Sequence, residues 1–353
     1  MNEWGNSRFT RARIFAGCTI SLANSTGFRV HSWVSRESLT AVNSLQTAST
    51  AARLEAPPTM TESSDLKASR RTILRAYALI IPSALASWWF WPASPQIALG
   101  AGLAVSAGVA FAFILKLDNG SVFDAWWSVM PPLAALSMAF SVGEDGPLNA
   151  RQTAVLVVTG FWGTRLTLNW WRDWPGLHHE DWRFGLLASR WPLPVWAVRL
   201  IAVVISQTFL VYLGLLPLHA AMTQGEPGLG VLDAIALIVG VGATTIELVA
   251  DEQMKIFAER KAPGEVMDRG LWRLSRHPNY FGEIGFWVSL WLFALAATPS
   301  AWWTGIGALT ITVMFVSFSI PTLDERSGER RAGFKDYAAR TPALIPWPRR
   351  QSP

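Results

Sequence analysis

The chain has 353 residues, of which 51% are hydrophobic and only 16% charged, against about a quarter charged in soluble domains; that excludes an ordinary soluble protein. The net charge of +5 comes from basic residues in loops between apolar runs, which follows the positive-inside rule and not the footprint of a nucleic-acid binder. The single cysteine, Cys18, excludes an internal disulfide, a thiolate metal site and a cysteine nucleophile in the body of the chain.

Residues 1–59 are rich in Ser, Thr and Ala, with six Arg, no Lys and three Glu. This composition resembles a transit peptide; a start placed upstream of the true one, at Met60, is the alternative. Either way the extension is expected to be non-globular. Residues 60–149 are read as N-terminal transmembrane helices and 150–353 as a membrane domain with a cytoplasmic tail. Runs at 73–91, 97–115, 122–141, 152–171, 195–217, 229–250, 280–297 and 301–320 are long and apolar enough to cross a bilayer. The predicted fold is therefore all-α: a polytopic membrane helical bundle of about eight transmembrane helices. Pro92, Pro95, Pro147, Pro192, Pro194, Pro217 and Pro299 punctuate the runs. Lys and Arg fall in alternate loops, which predicts that both termini are cytoplasmic. Tryptophan pairs at run ends (Trp88-Trp89, Trp126-Trp127, Trp170-Trp171 and Trp302-Trp303) predict an aromatic belt.

Polar residues inside these runs are the candidates for chemistry. Arg165 and Asn169 are four apart in the fourth run, with Arg172 one turn on; Arg165 either snorkels to the interface or pairs with Glu247. His178-His-Glu-Asp181 invites a metal reading. Adjacent histidines point in different directions, however, and other histidines are scarce, so no metal is expected. Gly240-Val-Gly-Ala-Thr-Thr245 mimics half a dinucleotide fingerprint, but it lies within an apolar run and reads as close helix packing through small residues. Glu247 and Asp251 are four apart on one helix face, and a carboxylate in a membrane normally has a partner and a role. The densest cluster is Gly270-Leu-Trp-Arg-Leu-Ser-Arg-His-Pro-Asn-Tyr-Phe-Gly-Glu283. Pro278 suits the first turn of the seventh run. Arg273, Arg276 and His277 precede that helix start, where an anionic ligand meets side-chain and backbone donors together. Asn279, Tyr280 and Glu283 sit inside the membrane entrance, where topology alone does not call for them.

These residues carry a resemblance. Ser275-Arg-His-Pro-Asn-Tyr-Phe-Gly-Glu283, the Glu247/Asp251 pair, Arg260-Lys-Ala-Pro-Gly-Glu265 and the tail Phe334–Trp347 resemble the steroid 5α-reductase-like integral membrane family, closest to its bacterial-type branch. Glu247 stands where those reductases carry Asn. The resemblance covers roughly 150–347 and is strongest over 247–347. It implies a multi-span helical fold that holds NADPH at the cytoplasmic side and transfers hydride to an activated carbon–carbon double bond of a lipid or sterol-like substrate. It implies Asp251, Arg273, Arg276, His277, Asn279, Asp336, Tyr337 and Arg340 as cofactor-side residues and Glu247, Tyr280 and Glu283 as catalytic ones. The Glu and Tyr with which steroid enzymes polarise a ketone have no counterpart in the N-terminal half; the four tyrosines are Tyr77, Tyr212, Tyr280 and Tyr337. Isoprenylcysteine-type S-adenosylmethionine-dependent membrane methyltransferases share an Arg-His-Pro-x-Tyr string and an acidic pair, for which Asp324-Glu325 qualifies. A non-catalytic lipid-binding membrane protein of the same fold is the third reading.

Overall fold

The computed structural model describes residues 20–23, 29–32, 60–90, 94–143, 146–225 and 228–349. The chain divides into two units, Met1–Ser64 and Asp65–Pro353. In the first, β1 (Ile20–Ala23) and β2 (Arg29–Ser32) pair antiparallel, with Ile20 opposite Ser32. The expectation for the rest of 1–59 lies outside the described residues, as do Glu144, Asp145 and Glu226 of the outer loops.

The second unit is helical. Its long helices are α1 (Met60–Phe90), α2 (Pro95–Leu117), α3 (Trp126–Gly143) and α4 (Ala150–Asp173). A short α5 (Trp182–Arg190) caps one end. Then follow α6 (Val195–Thr223), α7 (Val231–Arg260), α8 (Pro278–Ala297), α9 (Pro299–Arg330) and the tail helix α10 (Phe334–Arg340). Among the described residues seven helices are long and apolar enough to cross a membrane: α1, α2, α3, α6, α7, α8 and α9. This makes the chain an integral membrane protein with a polytopic helical fold.

The fourth expected run is α4. It is a helix of 24 residues, long enough to cross at 1.5 Å per residue, but Arg151, Arg165, Asn169 and Arg172 dilute its apolarity. Its neighbour α7 explains how it tolerates them. Arg151 bonds Asp233, Arg165 bonds Glu247, Asn169 bonds Asp251 and Asp173 bonds Lys255, each pair 82 residues apart. A constant offset means that the two helices run parallel and in register from one end of the bundle to the other. α4 therefore runs beside α7 along its length.

The ends of the helices follow their capping residues. Asn149 and Gln152 form a reciprocal capping box at α4. Asp233 accepts from Gly230 N–H at the start of α7. Pro278 opens α8 as expected. Both α6 and α9 contain one π-helical stretch, Arg199–Ile205 and Phe315–Ser319. The first re-aims Arg199 toward Glu180 and Asp118, so that α6 holds the turn after α2 and the loop before α5 together. The second places Phe315 on the Tyr280 ring, with centroids 4.4 Å apart.

The tryptophans expected to form an aromatic belt divide by exposure. Trp89, Trp302 and Trp303 are exposed. Trp126, expected at the interface, is fully buried with its indole N–H on Ser106. Trp162 and Trp287 are fully buried too, and Trp162 stacks on Phe286 at 4.0 Å.

Candidate functional site

Two helices set the position of the site. α8 lies close against α7 because Gly282 faces it: a Cβ there would stand 2.5 Å from Glu247 Cγ and 2.6 Å from the Ala243 carbonyl oxygen. The Gly240–Thr245 stretch is packed against α4 and α8, as its small residues suggested: a Cβ on Gly240 would meet Val158 Cγ1 at 2.6 Å and Ser289 Oγ at 2.8 Å. This close approach puts Glu247 of α7 and Glu283 of α8 side by side.

Glu283 is buried, and three tryptophans from three helices donate to it. Trp127 (α3) and Trp287 (α8) reach Oε1 at 3.0 Å each, and Trp162 (α4) reaches Oε2 at 3.0 Å. Glu247, 2% exposed, accepts from Arg165 Nη2 through its Oε2, while its Oε1 is buried with no hydrogen-bond partner. The other arm of Arg165 donates to Asp251 at 2.7 Å. Asp251 also accepts from Asn169 at 3.1 Å and has Asn279 beside it. Arg165, Glu247, Asp251, Asn169, Asn279 and Glu283 thus form one continuous polar cluster inside the bundle.

A groove of about 500 Å³ between α4 and α7 reaches this cluster from outside. Arg165, Asn169, Arg172, Asp251 and Glu252 line its polar part; Gly160, Phe161, Leu168 and Leu248 line the apolar part. Residues 160, 164, 168 and 172 repeat every fourth position, so the groove follows one face of α4 for about 18 Å, from the bundle end into the apolar zone.

The remaining predicted residues lie elsewhere. Arg276 and His277 both bond Asp324 of α9, Arg276 at 2.7 Å and His277 at 3.0 Å. Arg276 also donates to the carbonyls of Ala338 and Thr341 at 3.1 and 2.6 Å, and its backbone N–H reaches Pro342. Tyr337 is buried with its hydroxyl on the Trp272 carbonyl at 2.6 Å, and burial pushes that hydroxyl above the ordinary tyrosine range. These contacts strap the tail, 334–347, over the loop before α8. Arg276 was expected to pack little and to face a ligand; its guanidinium instead holds its own chain. Arg273, Asp336 and Arg340 are exposed, and Arg340 bonds the carbonyl of Asp336.

Tyr280 stands between the two groups. His277 stacks on it at 5.4 Å, and Arg183 and Asp181 lie beside it. Burial raises the Asp181 carboxyl, but three hydrogen bonds from the Arg183 guanidinium outweigh this and hold it below the usual carboxylate range. The His178–Asp181 segment serves the fold: Glu180 pairs with Arg199, and the His179 carbonyl accepts from Asn119 and Ser121.

Sequence reasoning missed Trp127, Trp162 and Trp287. Two of them carried a local signal, since Trp287 is one turn from Glu283 and Trp162 one turn from Arg165. Trp127 carried none; it is 156 residues from the carboxylate it binds.

Comparisons with known proteins found one family and one relative of the chain. No solved structure matches the chain. An uncharacterised protein of Schizosaccharomyces pombe, C594.04c, is 28% identical over 208 residues, which cover 52% of this chain and 59% of that protein. A family described only as a protein of unknown function, DUF1295, matches residues 110–341, from the second half of α2 through α10 and so across the whole polar cluster; the chain belongs to that family.

Proposed function

We propose that the chain is a membrane-embedded reductase that uses NADPH to saturate an activated carbon–carbon double bond in a lipid or sterol-like substrate, as its resemblance to the steroid 5α-reductases implies. The observation that carries this reading is the Arg165–Glu247–Asp251–Glu283 cluster at the end of a groove that is polar at the bundle end and apolar within. Intramembrane ionisable residues are costly, and in such a setting they mark a functional site.

The residues of the groove fit one half of a dinucleotide. Asn169 and Asp251 line the groove and offer the donor and acceptor that an amide requires, and Arg165 Nε is buried at the wall without a partner. Arg172 is half exposed and suits a phosphate through its planar fork. Arg276 does not fit a phosphate, because Asp324 and the tail carbonyls hold its guanidinium; Arg273 and Arg340 are exposed at the same end, Arg340 with its Nε on the Asp336 carbonyl. When bound, a reduced nicotinamide supplies the hydride. This chain's residues would hold it, keep water from the reacting carbon through the apolar part of the groove, and supply the proton.

Titration of the detergent-solubilised protein with each cofactor tests the reading. Saturable NADPH binding is expected, weakened about ten- to a hundred-fold in Arg172→Ala by loss of a charge-assisted bond. Saturable binding of S-adenosylmethionine without NADPH would move the protein to the methyltransferase class, which the clasp of Arg276 and His277 on Asp324 favours. Binding of neither leaves a non-catalytic lipid-binding protein.

A further inference from the structure

The polar cluster contains more acid than base. One guanidinium, Arg165, pairs with Glu247 and Asp251, and a third carboxyl group, Glu283, neighbours Glu247. α3 contributes Trp127, and α4 contributes Trp162, Arg165 and Asn169. α7 contributes Asp251, and α8 contributes Asn279, Tyr280 and Trp287. Beyond Tyr280 stands Arg183, already held by Asp181. No second free cation lies against the two glutamates among the described residues. Two uncompensated negative charges in a membrane interior are expensive, and carboxyl groups in contact relieve that cost by sharing a proton.

The donors say which oxygen holds it. An indole N–H donates and cannot accept. Three indoles point at Glu283, so both of its oxygens are acceptors, and an O–H on either would face a donor. Glu247 differs. Arg165 occupies its Oε2, whereas Oε1 is buried and meets no donor, and the Glu283 carboxyl neighbours this side chain. A buried oxygen without a partner is destabilising; an O–H there, directed at Glu283, removes the defect and one negative charge together.

We infer that Glu247 carries a proton on Oε1, shared with Glu283, and delivers it to the substrate carbon when the double bond is reduced. The delivery step rests on the reductase reading; the position of the proton does not. The Glu247 O–H bond breaks as a new C–H bond forms on the carbon next to the one that receives the nicotinamide's hydride. Glu247 is left as a carboxylate already paired with Arg165. A proton returns from water in the groove by way of Asp251, which lines it one turn along the same face of α7.

Infrared spectroscopy of the solubilised protein, without any cofactor, tests the assignment. At neutral pH the wild type should show the carbonyl band of a buried protonated carboxyl group. The band should shift in D2O and with carbon-13 glutamate labelling, and should be absent in Glu247→Gln. A wild-type spectrum without such a band overturns the inference, with no variant needed. So does a glutamate-sensitive band that persists in Glu247→Gln, or a spectrum in which every protonated-carboxyl band moves with labelled aspartate, as the band of buried Asp124 would. If Glu247→Gln does not fold, the labelling experiment on the wild type still decides between glutamic and aspartic acid. In turnover, Glu247→Gln should bind NADPH with unchanged affinity and lose at least about a hundred-fold in rate, the lower end of what general-acid catalysis contributes. A Glu247 band in a protein that binds no NADPH removes the delivery step along with the reductase reading and leaves the proton where we place it.

Discussion

Arg276 illustrates what a residue's position in a motif does and does not reveal. A cation just before a helix start is well placed for an anion, and its sequence neighbours are the same whether that anion is a ligand or the chain's own Asp324. Asp324 is 48 residues away, and the carbonyls that share Arg276 are more than 60 away. Replacing Arg276 by Ala should therefore loosen the tail first. We expect a loss of about 1–3 kcal/mol from the orphaned Asp324 and tail carbonyls, together with faster trypsin cleavage at Lys335 and Arg340. Thermal unfolding and limited proteolysis check this; a variant with wild-type stability and tail protection contradicts the clamp. Glu283 teaches the same lesson in the opposite direction. An acid one turn into an apolar helix looked poorly explained by packing, yet three indoles satisfy it. A glutamine there would turn an amide N–H toward an indole N–H.

At the scale of helices, the sequence makes visible what depends on apolar length and on local caps: the long runs, Pro278 at the start of α8, and the small-residue stretch at Gly240–Thr245. It hides what depends on partners. The π-helical stretches in α6 and α9 leave no mark in composition, and the site's third tryptophan sits in α3 with nothing nearby to announce it. The contact between α7 and α8 is where local and distant requirements meet, at Gly282. Gly282→Ala would put a methyl group 2.5 Å from Glu247 Cγ and 2.6 Å from a backbone carbonyl, which cannot yield without moving a helix. A destabilisation of about 1–3 kcal/mol is expected from such overpacking, with the protonated-carboxyl band shifted as the two glutamates separate. Gly242→Ala on α7 is the matched control, since a Cβ there meets nothing within 4 Å; it should be neutral. Equal effects from the two substitutions would refute the close-approach argument.

For the molecule as a whole, the contacts sort the loops into two ends. Arg70 meets Trp171, Asn119 meets Leu177, and Lys255 meets Asp173 at one end. Arg151 meets Asp233 and Gln152 meets Met222 at the other. The first end gathers the basic loops, so reporters fused at Gly146 and Gly225 should read outside and one at Gly176 inside. A reporter at Gly176 that reads like Gly146 would mean that α4 does not cross. The parallel register of α4 and α7 also has a consequence for how the protein is made. An arginine near the middle of a lone membrane helix costs about 2.5–3.5 kcal/mol at insertion, and the partners of Arg151 and Arg165 are synthesised 82 residues later. At roughly 5–20 residues per second, α4 emerges from the ribosome several seconds before the acids that neutralise it. The acids of α7 offset that cost once they arrive, so α4 and α7 are expected to integrate as a pair.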